Sequence, residues 1–280
     1  MTDETQGGSP HGDGSGLVPT FPTSLGTSDT ESITLLGQDL SSELIGRIGF
    51  GDLAYRLITL EEPTPGQLRL FEAVLVALAD HGFTPTAIAA RLTYYSAPDA
   101  LQGALAAGLL GGGSRFLGVT EDTGRFLASV LAGIDGPLPD SDAGWDAVAR
   151  DAVATQRAAR RFVPGLGHPV HRHGDPRVPV IARIARDEGV TGPHLALFAA
   201  IGRVHGEILG RTLPLNGAGI CGAALADLGL PIDLLRGVAL LARCAGLLGQ
   251  LAEEMRAPIG EDVYMTVDRN ARYVPPAEQS

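Results

Sequence analysis

The apolar positions of this chain recur mainly at helical spacing. Leu68, Phe71, Leu75 and Leu78 fall three and four residues apart, which predicts an amphipathic helix over Gly66 to Asp80. His81-Gly82 ends it, with the glycine free to adopt a left-handed cap. Thr84-Pro85 then supplies N-cap and first-turn chemistry for a second helix through Ile88 and Leu92. His81 is thereby placed in a short turn between helices. Further helices are predicted over Ala100 to Leu110, Phe126 to Ile134, Ser141 to Ala159, Val178 to Asp187, Pro193 to Leu209, Gly219 to Leu228 and Ile232 to Met255. Gly111-Gly112-Gly113 reads as a hinge or a loop of close approach. No alternation of apolar and polar residues persists long enough to suggest a sheet, and no repeat is visible. The expected fold class is all-α.

Composition adds the boundaries. Hydrophobic residues make up 44% of 280, enough for a sizeable core. No run approaches the roughly twenty apolar residues that a membrane span needs, so no membrane partner is expected. Residues 1–30 are rich in Gly, Ser, Thr and Pro, without the basic start and apolar stretch of a secretory signal, and read as a disordered tail. Ala257 to Ser280, with three prolines, reads as an extended arm. The helix pattern and the glycine hinge suggest a large helical domain of residues 31–115 and 226–280 and a smaller one of residues 116–225. Cys221 and Cys244 lie in apolar, helix-like runs, so no disulfide is expected and a cytoplasmic location follows by default. The formal charge of −11 argues against a nucleic-acid partner, because phosphate binding needs a basic surface.

Against that acidic background, Gly165 to Arg177 holds three His and two Arg in thirteen residues. Its glycines permit close backbone approach to a ligand. Its cations suit carboxylates or phosphates, with arginine offering a bidentate fork. The bland alternative is a solvated basic loop. Three nearby His also invite a metal reading, but no carboxylate or Cys completes a recognised zinc spacing, and no metal is expected.

Three segments together resemble the citrate synthase superfamily. Ala79-Asp80-His81-Gly82 and Gly165-Leu166-Gly167-His168-Pro169-Val170-His171 are similar to its two His motifs, and Leu213-Pro214-Leu215-Asn216-Gly217-Ala218-Gly219 to its acid motif, with Ala218 where an Asp is expected. The resemblance implies a citrate synthase-like helical dimer with its sites between domains. It implies that His81 and His168 handle the substrate oxygen. Arg177 and Arg243 would hold carboxylates, and Arg256 would either reach a neighbouring subunit's site or be a surface charge at a helix end. Gly167, His171 and Arg172 would lie toward coenzyme A. Phe116, in Arg115-Phe116-Leu117-Gly118, stands where synthases carry the His that stabilises the acetyl-CoA enol. That form resembles citryl-CoA lyases and the C-terminal module of ATP-citrate lyase. The expected activity is therefore cleavage of a 3-hydroxyacyl-CoA such as citryl-CoA, with coenzyme A as the thioester carrier. A related enzyme with another acyl-CoA, and a non-catalytic subunit binding acyl-CoA or carboxylate, are the alternatives. Ala218 leaves three explanations: another acid such as Glu121 or Asp122 enters the site, the substrate differs, or the protein binds without turnover. His194 and His205 read as ordinary helix residues.

Overall fold

The computed structural model describes residues 20–276. The chain parts into two units, with the boundary between Ile48 and Gly49.

The described part of the N-terminal unit holds a small antiparallel sheet, β1 (Gly26–Ser28), β2 (Ile33–Leu35) and β3 (Gln38–Asp39), in the order β1-β2-β3, followed by a short π-helical turn over Leu40–Leu44. Thr27 pairs with Thr34, and Leu35 with Gln38. Asp29 turns the chain after β1 by accepting the backbone N–H groups of Glu31 and Ser32, both at 2.8 Å. Leu36 and Gly37 both have positive φ, the backbone that a two-residue hairpin needs. This corrects two expectations: a sheet exists, and residues 26–28 of the segment read as a tail are a strand. Strands of two or three residues are too short to leave a periodic signal. Residues 1–19 lie outside the described residues.

The second unit is helical. Its elements are α1 (Phe50–Thr59), α2 (Pro65–Ala79), α3 (Pro85–Ser96), α4 (Leu101–Leu110), α5 (Val119–Ala132), α6 (Asp142–Ala158), α7 (Arg177–Asp187), α8 (Pro193–Leu209), α9 (Gly217–Asp227), α10 (Leu235–Arg256) and α11 (Gly260–Arg269). A large apolar cluster, including Tyr55, Phe71, Leu127, Trp145, Phe198, Leu225 and Leu235, buries the faces of most of these helices. A smaller one, Ala87, Ala90, Ala104, Leu247 and Leu251, joins α3, α4 and α10. Among the described residues, no helix is long and apolar enough to cross a membrane.

Three helical readings change. α1 was not expected. α5 begins seven residues before the predicted Phe126, because Val119, Thr120, Thr123 and Gly124 are poor helix formers whose backbone is set by packing on α9. There a Cβ on Gly222 would lie 2.1 Å from the Thr120 carbonyl oxygen, so only glycine allows the approach. The supposed C-terminal arm contains α11, whose first N–H groups, Ile259 and Gly260, donate to the buried Glu254 carboxylate at 3.0 and 2.7 Å. Glu254 in turn pairs with the buried Arg91 at 2.9 Å. Residues 277–280 lie outside the described residues.

Candidate active site

His81 is positioned by the ends of two helices. α2 starts with a reciprocal cap, in which Thr64 Oγ1 accepts from Gln67 N and Gln67 Oε1 accepts from Thr64 N. It stops at Asp80, whose carboxylate accepts from Gly82 N at 2.8 Å and Gln250 Nε2 at 3.0 Å. Gly82 has φ +70°. α10 presses on the same corner, where a Cβ on Gly246 would lie 1.9 Å from the Ala79 carbonyl oxygen. Thr84 then caps α3. His81 is half-buried in this turn.

The Gly165–Arg177 loop is tied to the segment before α9. Gly167 N donates to Pro214 O at 2.7 Å, Asn216 N to Gly165 O at 2.9 Å, and Asn216 Nδ2 to Gly167 O at 2.9 Å. Asn216 also caps α9, its Oδ1 accepting from Gly219 N at 2.8 Å. One asparagine therefore fixes both the loop and the helix start. Gly165, at φ +84°, lies where a Cβ would meet the Phe198 ring at 2.5 Å.

Asp175 is the site residue that sequence reading missed. Its side chain has no exposure. Oδ1 accepts from Arg177 Nε at 3.0 Å and Arg177 N at 3.1 Å; Oδ2 accepts from Arg177 Nη2 at 2.8 Å and Gly217 N at 2.7 Å. Burial alone would raise its pKa, but these bonds outweigh burial and hold the carboxyl well below the usual range. The signal was present in Asp175-Pro176-Arg177, two residues from an arginine already singled out. Arg177 is raised overall, burial being outweighed by Asp175. Its Nη1 donates to Ala77 O at 3.2 Å. A Cβ on Gly217 would lie 2.2 Å from Arg177 Nε, so this position admits only glycine while Arg177 stays in place.

His81, His168, Arg177 and Arg243 all line one cavity of about 560 Å³, together with Gly167, Phe116, Asp122, Asn216 and Ala218. Arg243 is 5% exposed and donates to Thr84 Oγ1 and Leu78 O, both at 3.3 Å, leaving its buried Nε without a partner. Burial lowers its pKa, with Asp80 opposing. His171 is not among the cavity-lining residues. Its Nε2 is 3.2 Å from His81 Nε2, and its ring centroid is 4.4 Å from that of His168. Arg172 and Arg256 are exposed and line neither this cavity nor the next. Glu121 is engaged by Arg125 at 2.8 Å and Arg236 at 3.4 Å. His194 is a helix-start partner of Asp227. His205 is buried, its Nδ1 on Ile201 O and its Nε2 accepting from Leu213 N, both at 2.9 Å.

The tautomer of His168 follows from its contacts. Nδ1 accepts the backbone N–H groups of Val170 at 3.1 Å and His171 at 3.0 Å, so the neutral ring carries its proton on Nε2 and presents a donor. Burial, then the neighbouring His171, pushes its pKa below the ordinary histidine value, which keeps it neutral. The same contacts bear on metal binding. One ligand atom from each of His81, His168 and His171 lies within 4.8 Å of the others. A metal on His168 Nε2 would force the proton onto Nδ1, against two N–H donors, and Nδ1 is already occupied. Metal-binding histidines ordinarily donate from the second nitrogen, so this trio does not fit.

A second cavity of about 210 Å³ adjoins the first through Phe162, Val163 and Leu166. Arg157, Arg160, Arg161 and Arg211 line it. Sequence reading assigned none of the four.

Residues 46–261 match the family model described as citrate synthase, C-terminal domain. The citrate synthase of Deinococcus radiodurans is 28% identical over 228 residues, covering 78% of this chain and 55% of that protein. 2-Methylcitrate synthase 2 of Corynebacterium glutamicum is 27% identical over 197 residues, covering 68% of this chain and 46% of that protein. The chain thus spans about half the length of these curated relatives. Among solved structures, citryl-CoA lyase from Hydrogenobacter thermophilus superposes with a TM-score of 0.79 at 27% identity, covering 94% of this chain and 98% of that one. ATP citrate lyase from Methanothrix soehngenii, in complex with citrate and coenzyme A, shares the fold with a TM-score of 0.73 at 23% identity, covering 93% of this chain and 42% of that one.

Proposed function

Because this chain belongs to the citrate synthase family, we propose that it is a citryl-CoA lyase-like carbon–carbon lyase, cleaving a 3-hydroxyacyl-CoA such as citryl-CoA into acetyl-CoA and an oxo acid. The observation that carries the reading is one cavity lined by two histidines and two largely buried arginines, with Phe116 rather than a histidine on its wall. The arginines fit the carboxylates of a di- or tricarboxylate. His81 takes the proton of the substrate hydroxyl while His168 Nε2–H donates to the same oxygen. As the carbon–oxygen double bond forms, the carbon–carbon bond breaks and its electron pair passes into the thioester as an enolate. The thioester stabilises that enolate, so the scheme uses no metal.

The four arginines that converge on the adjoining cavity are better candidates for the coenzyme A phosphates than Arg172, which lines neither cavity. Phe83, Phe162 and Val170 stand exposed around the cavity mouth, which supports assembly as a homodimer.

One observation favours a second reading. Ala218, on the cavity wall, has no titratable group, as expected of a subunit that binds an acyl-CoA or carboxylate without turnover. Calorimetry with acetyl-CoA and oxaloacetate tests what the two readings share. Binding of both is expected; added salt weakens both anions, while R160A/R161A weakens acetyl-CoA and leaves oxaloacetate unaffected. Absence of acetyl-CoA binding by folded protein, with oxaloacetate present, overturns both.

A further inference from the structure

Cleavage of a carbon–carbon bond beside a thioester leaves an enolate, and that carbon must receive a proton before acetyl-CoA can leave. The cavity supplies cations and imidazoles at the oxygen and carboxylate end. Among the described residues lining it, one carboxylate occurs, that of Asp122. Asp122 lies in the first turn of α5. α5 meets α9 through the Thr120–Gly222 contact, two residues before Asp122 on one helix and one turn after Ala218 on the other. Asp122 and Ala218 lie on helices that pack together, and both line this cavity. Glu121, the neighbour of Asp122, is held by Arg125 at 2.8 Å and is not among the lining residues. Asp122 is not so held: Arg236 Nη2 is 3.9 Å from its Oδ1, beyond hydrogen-bond reach, and the side chain is 44% exposed.

We propose that Asp122 is the acid–base group at the thioester's α-carbon, so that the function absent at Ala218 is carried by the helix packed against it. This rests on the lyase reading above. In cleavage, the protonated Asp122 carboxyl gives its hydrogen to the enolate carbon. The enolate's electron pair forms the new C–H bond, and acetyl-CoA and the Asp122 carboxylate result. In reverse, the carboxylate removes a methyl proton and that C–H electron pair becomes the enolate. A half-exposed carboxylate exchanges its proton with water between turnovers.

The reverse half can be measured alone, as loss of the acetyl-CoA methyl ¹H signal in D2O with full-length protein and oxaloacetate present. Wild type is expected to catalyse exchange. D122N is expected to reduce it by about 10²–10⁴-fold, the usual contribution of a general acid–base group, with acetyl-CoA affinity and melting temperature retained. E121Q is expected to exchange as wild type. Undiminished exchange in D122N, loss in E121Q rather than D122N, or acetyl-CoA binding without wild-type exchange each overturns the assignment and leaves the binding reading standing. Failure of acetyl-CoA to bind overturns the lyase reading and this assignment with it.

Discussion

The Asp175–Arg177–Gly217 contact offers the sharpest structural test. Changing Asp175 to Asn keeps the side chain's shape but replaces one carboxylate oxygen with an NH2 group. Oδ2 now accepts from Arg177 Nη2 and Gly217 N; an NH2 there faces two donors, and placing it at Oδ1 instead faces Arg177 Nε and N. Either rotamer leaves two donors unmatched and a largely buried guanidinium without its anion. Breaking a buried ion pair from one side costs about 3–5 kcal/mol. That is a large part of the roughly 5–15 kcal/mol that stabilises a typical domain. At about 2–4 °C per kcal/mol for a domain of 150–250 residues, a drop near 10 °C is expected by circular dichroism or calorimetry. The pH dependence carries its own sign. The folded-state pKa of Asp175 is depressed, so its stabilisation is complete above the unfolded-state value of about 3.9 and is lost as pH falls below it. Asp175→Asn should therefore flatten the acid limb of stability below that pH. A variant melting within about 2 °C of wild type, with an unchanged acid limb and unchanged oxaloacetate affinity, refutes the assignment of Asp175 as the anchor of Arg177.

Gly217→Ala drives a methyl into the Arg177 guanidinium and should weaken oxaloacetate binding tenfold or more, about 1.4 kcal/mol, by calorimetry; unchanged affinity removes Arg177 from the ligand site. In ¹⁵N-resolved spectra, His168 should appear as the Nε2–H tautomer and titrate below the ordinary value of about 6.5, and an Nδ1–H ring contradicts the contacts given above. His171→Phe removes the nitrogen facing His81 and should lower kcat by about 10-fold or more while KM changes less, a part of the roughly 10²–10⁴-fold that a well-placed general base contributes. A rise in KM alone would instead make His171 a substrate-binding residue.

How much of this was legible in the sequence differs from element to element. Periodicity located α2 to within a residue at each end, and Thr84-Pro85 marked the start of α3 by its local cap chemistry. α5 was half missed because its first turns contradict propensity and are held by α9 across Gly222. α11 was missed because prolines at either side suggested an arm, while its start is set by Glu254, a tertiary contact. His81, His168, Arg177 and Arg243 were found by motif resemblance, and the fold brings them to one cavity across more than 160 residues of sequence. His171 shows the limit of that route: the resemblance put it toward coenzyme A, and only the three-dimensional register shows its Nε2 3.2 Å from His81 Nε2. Arg157, Arg160, Arg161 and Arg211 come from two separated segments, and no linear spacing announces that they share a cavity.

Lyase activity can be read by giving purified protein citryl-CoA and following oxaloacetate and acetyl-CoA together, one by a coupled NADH assay and the other by chromatography. The two are expected to appear in equal amounts, in a wild-type protein whose cavity carries Ala218, with rates that fall in the H81A and H168A variants. Citryl-CoA that binds and is recovered intact after prolonged incubation would contradict the lyase reading, and would make the protein a binder rather than a lyase.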